Sequence, residues 1–108
     1  MKFHFSEEEQ EIISMVEDYA IKEVGPRAQE IDEEERFPIE AREGLAEMGM
    51  MGVYFPEEYG GAGMDTLAYI QTVEELSKYC ASTGVILSAH TSLCATPIYQ
   101  FGSEEQKQ

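Results

Sequence analysis

GVILSAHTSLCATPI, residues 84–98, is the stretch on which the fold turns. Residues 84–101 contain no Asp, Glu, Lys or Arg. A helix that is apolar or small nearly all round has no face to give to water and is normally enclosed by protein. The pattern predicts such a helix from about Ser82 to Phe101. Pro97 falls inside it, removing a backbone donor and crowding the carbonyl of Leu93, so a kink is expected there.

Just beyond, FGSEEQKQ (101–108) reads as a stop and a new start. Gly102 ends the apolar helix. Ser103 with Gln106 forms a capping box, the S-x-x-Q pattern in which two residues satisfy each other's orphan backbone donors. A helix start so close to Gln108, together with a helix that asks for more cover than the chain supplies, leads to the expectation of one domain, 1–108, that is the front part of a longer protein.

Working backwards from the apolar helix, Asp65 caps a preceding helix with Leu67, Ile70, Val73 and Leu76 expected on its inner side. Residues 50–64, MMGVYFPEEYGGAGM, are irregular: Val53–Phe55 reads at most as an extended link before Pro56, and GGAG (60–63) as a loop. At the front, Ser6 and Glu9 make another capping box. Ile12, Val16, Tyr19 or Ala20, and Val24 recur at helical spacing. Gly25 is expected to end that helix and Pro26 to begin a short acidic one through about Glu35, with Ala28 and Ile31 facing in. Pro38 opens another, with Ile39, Ala41, Leu45 and Met48 as its inner stripe, and Gly49 stops it. The fold class is therefore all-α, a small bundle of five to six helices.

The charge excludes several functions. The 108 residues carry 22 acids against 7 bases, a net −15, and residues 1–43 hold 14 of the acids. Phosphate backbones are bound by Lys and Arg, so nucleic acid is not an expected partner. Anionic membrane surfaces are disfavoured for the same reason. No run of about 18 apolar residues exists to span a bilayer. The N-terminus shows neither an apolar h-region nor transit-peptide character, which predicts a cytoplasmic location.

Local chemistry is sparse. The EEE runs at 7–9 and 33–35 lack the turning loop of a calcium site and read as solvated faces. His4 and His90 are the two histidines, and His90 has no acid nearby in sequence and no second ligand at i+4, which favours it as a pocket-lining or packed residue. GGAG lacks the strand and spacing of a phosphate loop; a tight turn needing positive φ accounts for it better. Hydroxyls at Ser82, Thr83, Ser88, Thr91, Ser92 and Thr96 assemble into no nucleophilic triad; most are expected to bond back to helix carbonyls and a few to line a pocket. Cys80 and Cys94 fit no metal or disulfide pattern and are expected to be buried thiols. No catalytic or metal-binding residue is assigned.

The strings GMMGVYFPEEYGGAGMD (49–65) and YIQTVEELSKYCASTGVILSAHTSLCATPIYQFGSEEQKQ (69–108) resemble the N-terminal helical domain of the acyl-CoA dehydrogenases. The wording ILSAHTSL followed by P-I-x-x-F-G-S-E-E-Q-K is most similar to the short-chain, butyryl-CoA members. The resemblance covers essentially the whole chain. It implies an FAD-dependent enzyme, usually tetrameric, in which a middle β-domain and a C-terminal helical bundle follow this domain. Such an enzyme converts an acyl-CoA to a trans-2-enoyl-CoA and passes electrons to an electron-transfer flavoprotein.

It also implies that the catalytic base and most flavin contacts lie beyond residue 108, so the chain alone is expected to be inactive and to bind no FAD stably. The apolar helix would line one wall of the acyl pocket, with Leu87, His90, Thr91 and Leu93 as wall positions. Two other readings keep the same residues: an acyl-CoA oxidase-like flavoenzyme, and a stand-alone helical interaction module.

Overall fold

The computed structural model describes residues 4–108, and the fold is all-α. Helices α1 (Glu7–Tyr19), α2 (Gly25–Glu34), α3 (Ile39–Glu47), α4 (Thr66–Tyr79), α5 (Ala81–Ala89), α6 (Thr96–Phe101) and α7 (Glu104–Lys107) follow in order. No strand occurs among the described residues. The central packing is α4 between α1 and α5, with α3 also against α5. Val16, Val24, Leu45, Val53, Leu76 and Leu87 are fully buried in one continuous core.

The caps form as their sequences imply. Ser6 and Glu9 complete a reciprocal box, Ser103 and Gln106 another, and Asp65 accepts from the Ala68 amide. Each involves partners three residues apart, so one turn of chain contains the whole interaction.

Gly25, expected to stop the first helix, does not. It has ordinary helical angles (φ −56°, ψ −46°), and a π-helical segment, Ala20–Val24, joins α1 directly to α2. The stop comes at Glu35, the described non-glycine residue with positive φ (51°). The apolar helix behaves in the same way. A second π-helical segment, His90–Ala95, separates α5 from α6. Both prolines, Pro26 and Pro97, sit in the second position of the α-helix that follows a π segment. A wider turn changes the hydrogen-bond register just where the proline amide cannot donate. Pro97 is thus accommodated by a change of register within the helix.

Three apolar stripes differ from expectation. Ile39 is exposed, while Ala41 and Leu45 are buried and Met48 packs at the core edge. On α4, Leu76 is buried and Val73 packs against the core as expected, but Leu67 and Ile70 face outward and Ala68 and Thr72 take inner positions instead. Close approach of α1 and α5 favours the smaller side chains on the faces they cover. In the apolar helix, Val85, Leu93, Ile98 and Phe101 are exposed. Its enclosure is therefore one-sided within this chain. Cys80 is buried, but Cys94 lies on the exposed side, contrary to the expectation for both thiols.

Residues 50–64 fold as linked turns, not as an extended segment. Short 3-10 turns span Met50–Gly52 and Glu57–Tyr59, and Val53 is fully buried in helical conformation (φ −51°, ψ −50°). Gly60 and Gly63 have φ of 83° and 66°, the left-handed values a tight turn here requires.

Candidate functional site

The turn segment and the apolar helix meet around a cavity of about 390 Å³. Met51, Phe55 and Tyr59 come from the turns, His90 and Tyr99 from the helix, and Lys107 from α7. The three aromatic rings are arranged edge-on: Phe55–Tyr99 at 5.5 Å between centroids and Tyr59–Tyr99 at 6.1 Å. Edge-to-face pairs of this kind hold a wall rigid without filling the space in front of it.

One rim is fastened by charge. The Tyr59 hydroxyl donates to the Glu104 carboxylate at 2.6 Å. Lys107 Nζ lies 5.9 Å from the Tyr59 ring centroid, 5.5 Å from that of Tyr99, and 3.6 Å from Glu104. The hydrogen bond to Glu104, ahead of desolvation and nearby negative charge, pushes the Tyr59 phenol up to about 12. The same bond, followed by the Lys107 charge, holds the Glu104 carboxyl below its ordinary range. This fastening ties α7 to the glycine turn, although 45 residues separate Tyr59 and Glu104.

The four expected wall positions are distributed over different faces. His90 is half-buried and lines the cavity. Leu87 is fully buried in the core. Thr91 is also fully buried, and its side-chain hydroxyl has no hydrogen-bond partner. Leu93 is 76% exposed and points away from the core. The structure brings Leu87 and Thr91 together with the core, and separates Leu93 from His90.

Sequence reading passed over the tyrosines. Tyr54 donates to the Thr96 hydroxyl at 2.6 Å, and the same hydroxyl donates to the Thr91 carbonyl at 2.7 Å. Tyr69 donates to the Ser88 carbonyl at 3.2 Å. The density of aromatics at 54, 55 and 59, in a segment too short for a strand, was the available signal.

The GGAG turn offers no phosphate cradle. The amides of Gly61, Ala62, Gly63 and Met64 donate to the carbonyls of Pro56, Gly52, Phe55 and Val53. A cradle needs amides free to point at an anion; these are all used within the turn. These turn amides therefore do not fit the pyrophosphate of a flavin dinucleotide. A second hollow, lined by Tyr19, Glu23, Arg27, Glu40, Glu43 and Glu47, is acidic, yet no group able to hold a metal ion occurs among the described residues. No described helix is long and apolar enough to cross a membrane.

Comparison with known proteins gives consistent matches. The family model described as "Acyl-CoA dehydrogenase, N-terminal domain" matches residues 6–108. The short-chain specific acyl-CoA dehydrogenase of Clostridium acetobutylicum is 56% identical over 108 residues, which is 100% of this chain and 28% of that protein. Butyryl-CoA dehydrogenase from Megasphaera elsdenii superposes with a TM-score of 0.90 at 41% identity, over 99% of this chain and 29% of that one. A chain in a solved structure described as an electron transferring flavoprotein of Acidaminococcus fermentans superposes with a TM-score of 0.94 at 48% identity, over 100% of this chain and 28% of that one. The chain thus spans less than a third of the length of these relatives.

Proposed function

Because this chain belongs to the acyl-CoA dehydrogenase N-terminal domain family, we propose that it is the helical domain of an FAD-dependent enzyme oxidising a short-chain acyl-CoA to its trans-2-enoyl-CoA. The observation that carries this reading is the 56% identity, over all 108 residues, to a short-chain specific dehydrogenase. The reaction removes an α proton and a β hydride from the acyl group. No residue of this chain is assigned to either step. The amides of the glycine turn are used internally, so FAD would be held by other parts of the enzyme.

The contribution of this domain is a wall. His90 lies on the cavity side of the apolar helix and contacts the substrate's acyl portion in this reading, while Leu93, on the exposed side, forms an outer part of the wall that the remaining domains complete. Leu87 and Thr91 act from behind, anchoring the helix in the core. An apolar surface with few polar groups suits an acyl chain. The open faces of α4 and of the apolar helix, with Leu67, Ile70, Val85 and Phe101 exposed, are the surfaces that the remaining domains or subunits of a homotetramer would cover. An electron-transfer flavoprotein is the electron acceptor, a role supported by the likeness to a chain of the Acidaminococcus structure. A cytoplasmic location belongs to the same reading.

The test compares the full-length enzyme with the 108-residue chain. The full-length enzyme should purify yellow, oxidise a four-carbon acyl-CoA, and reduce an electron-transfer flavoprotein. The isolated chain should retain no flavin after gel filtration with excess FAD. Stoichiometric flavin on the isolated chain, or no acyl-CoA oxidation by the full-length enzyme, would overturn the proposal. Steady peroxide formation without added acceptor would redirect it to an acyl-CoA oxidase.

A further inference from the structure

The π-helical segment His90–Ala95 is held from outside by two tyrosines, one at each end. At its C-terminal end, Thr96 donates both its amide and its hydroxyl to the Thr91 carbonyl. Since that hydroxyl proton is committed to Thr91, the 2.6 Å contact with Tyr54 has one polarity: the Tyr54 phenol donates to Thr96 Oγ1. At the N-terminal end, the Ser88 carbonyl accepts from the Tyr69 phenol at 3.2 Å and from the Ser92 hydroxyl at 2.6 Å. The two rings pack edge-on, 5.1 Å apart, and Tyr54 also packs edge-on against Phe55 at 4.9 Å.

A π segment closes its hydrogen bonds over five residues where the neighbouring α-helix uses four, so carbonyls at the change of register lose their regular α-helical partners. Pro97, lacking an amide proton, adds to the deficit. The tyrosine pair supplies donors at the ends of this segment. Register then decides orientation. Removing the widened turn would rotate every side chain on one side of it relative to the other by roughly 100°. His90 on the cavity side and Leu93 on the exposed side keep their present directions only while the π register holds.

The geometry points to Tyr54 and Tyr69 as positioning residues that lock His90–Ala95 in the π register and thereby set acyl chain-length selectivity. The selectivity part rests on the reading above that this helix walls the acyl pocket. Neither tyrosine touches substrate; both act through the helix.

The test uses the full-length enzyme with Tyr54→Phe, Tyr69→Phe and the double variant, with Tyr79→Phe as a tyrosine outside the clasp. Thr96→Val removes the shared hydroxyl and provides an independent route. Two readouts are needed: amide hydrogen exchange over residues 91–96, and the ratio of kcat/KM for four-carbon over eight-carbon acyl-CoA. We expect exchange to rise about tenfold in the double variant and the ratio to change by about fivefold, the scale of one net hydrogen bond. Tyr54→Phe and Thr96→Val should be non-additive. Unchanged exchange in both the double variant and Thr96→Val overturns the clasp. Faster exchange with an unchanged ratio leaves the clasp standing and overturns the selectivity role; His90→Ala in the same enzyme tests the pocket-wall reading separately, which fails if that variant leaves KM for the four-carbon and eight-carbon substrates unchanged. A merely structural tyrosine pair would lower the melting temperature and leave the ratio alone, which also overturns the selectivity role.

Discussion

Tyr19 of α1 lies directly over Gly44 of α3. Its hydroxyl donates to the carbonyls of Glu40 and Ala41, at 3.3 and 3.1 Å, and a Cβ at position 44 would fall 2.7 Å from the ring's Cζ. Gly44 is therefore the gap through which one helix reaches the backbone of another. Burial, ahead of the surrounding glutamates, pushes the Tyr19 phenol up, in keeping with a hydroxyl held against protein.

Gly44→Ala sets two effects against each other. Alanine improves helix propensity by about 1 kcal/mol, while overlap with Tyr19 and loss of its hydrogen bonds cost about 2 kcal/mol. We expect a net loss of about 1 kcal/mol by urea denaturation. In a Tyr19→Phe background the ring is free to shift, and the same change should be neutral or stabilising. Equal effects in both backgrounds would show that the two residues are not coupled.

Leu76 and Ile70 lie on the same helix but in different surroundings. Leu76 is fully buried and Ile70 is 54% exposed. Leu76→Ala should cost about 3 kcal/mol through lost burial and a cavity. Ile70→Ala should change stability by about 0.5 kcal/mol or less. Denaturation midpoints of the two variants in the 108-residue chain check this ordering, and similar losses would mean that α4 packs with a different face inward.

The glycine turn offers a ranking that backbone angles alone would invert. Gly60 has φ 83° with nothing near its missing Cβ, so Gly60→Ala meets only conformational strain, about 1 kcal/mol. Gly61 has no such angle, but its Cβ would overlap the Phe55 carbonyl group, which belongs to the backbone and cannot swing aside. Gly61→Ala should cost about 3 kcal/mol. Thermal unfolding of the two variants should place Gly61→Ala clearly lower.

The Tyr59–Glu104 bond fixes a pH window for the docking of α7. Tyr59 has a folded value of about 12, above its ordinary 10.0, so its contribution is complete below pH 10 and disappears as pH rises through about 12. Glu104 is held below its ordinary 4.5, so its contribution is complete above that value and disappears as pH falls through the lowered one. In a tyrosinate absorbance titration, Glu104→Gln should bring the Tyr59 transition back towards 10, and Tyr59→Phe should remove it. An alkaline curve unchanged by Glu104→Gln would rule out the bond as its cause.

What could be read without coordinates was what one turn of chain contains. The boxes at Ser6/Glu9 and Ser103/Gln106, the Asp65 cap, and the positive-φ glycines of the 60–63 turn depend on partners three residues away or on the residue itself. The all-α class followed from those boundaries and from helical periodicity. The charge-free run at 84–101 marked a helix without a charged face, and Val85, Leu93 and Phe101 are exposed on it.

Which face of each helix turns inward was decided by tertiary packing. Helix α4 carries apolar residues on more than one side, and periodicity cannot say whether Leu67 and Ile70 or Ala68 and Thr72 will meet a neighbour. The choice depends on how closely α1 and α5 approach. The outcome at the prolines was equally non-local. Pro97 announces an irregularity, but its form as a π turn involves a Tyr54 hydroxyl 42 residues from Thr96. His90 and Leu93, three residues apart in one helix, consequently face different surroundings, because their directions depend on a register that partners elsewhere in the fold sustain.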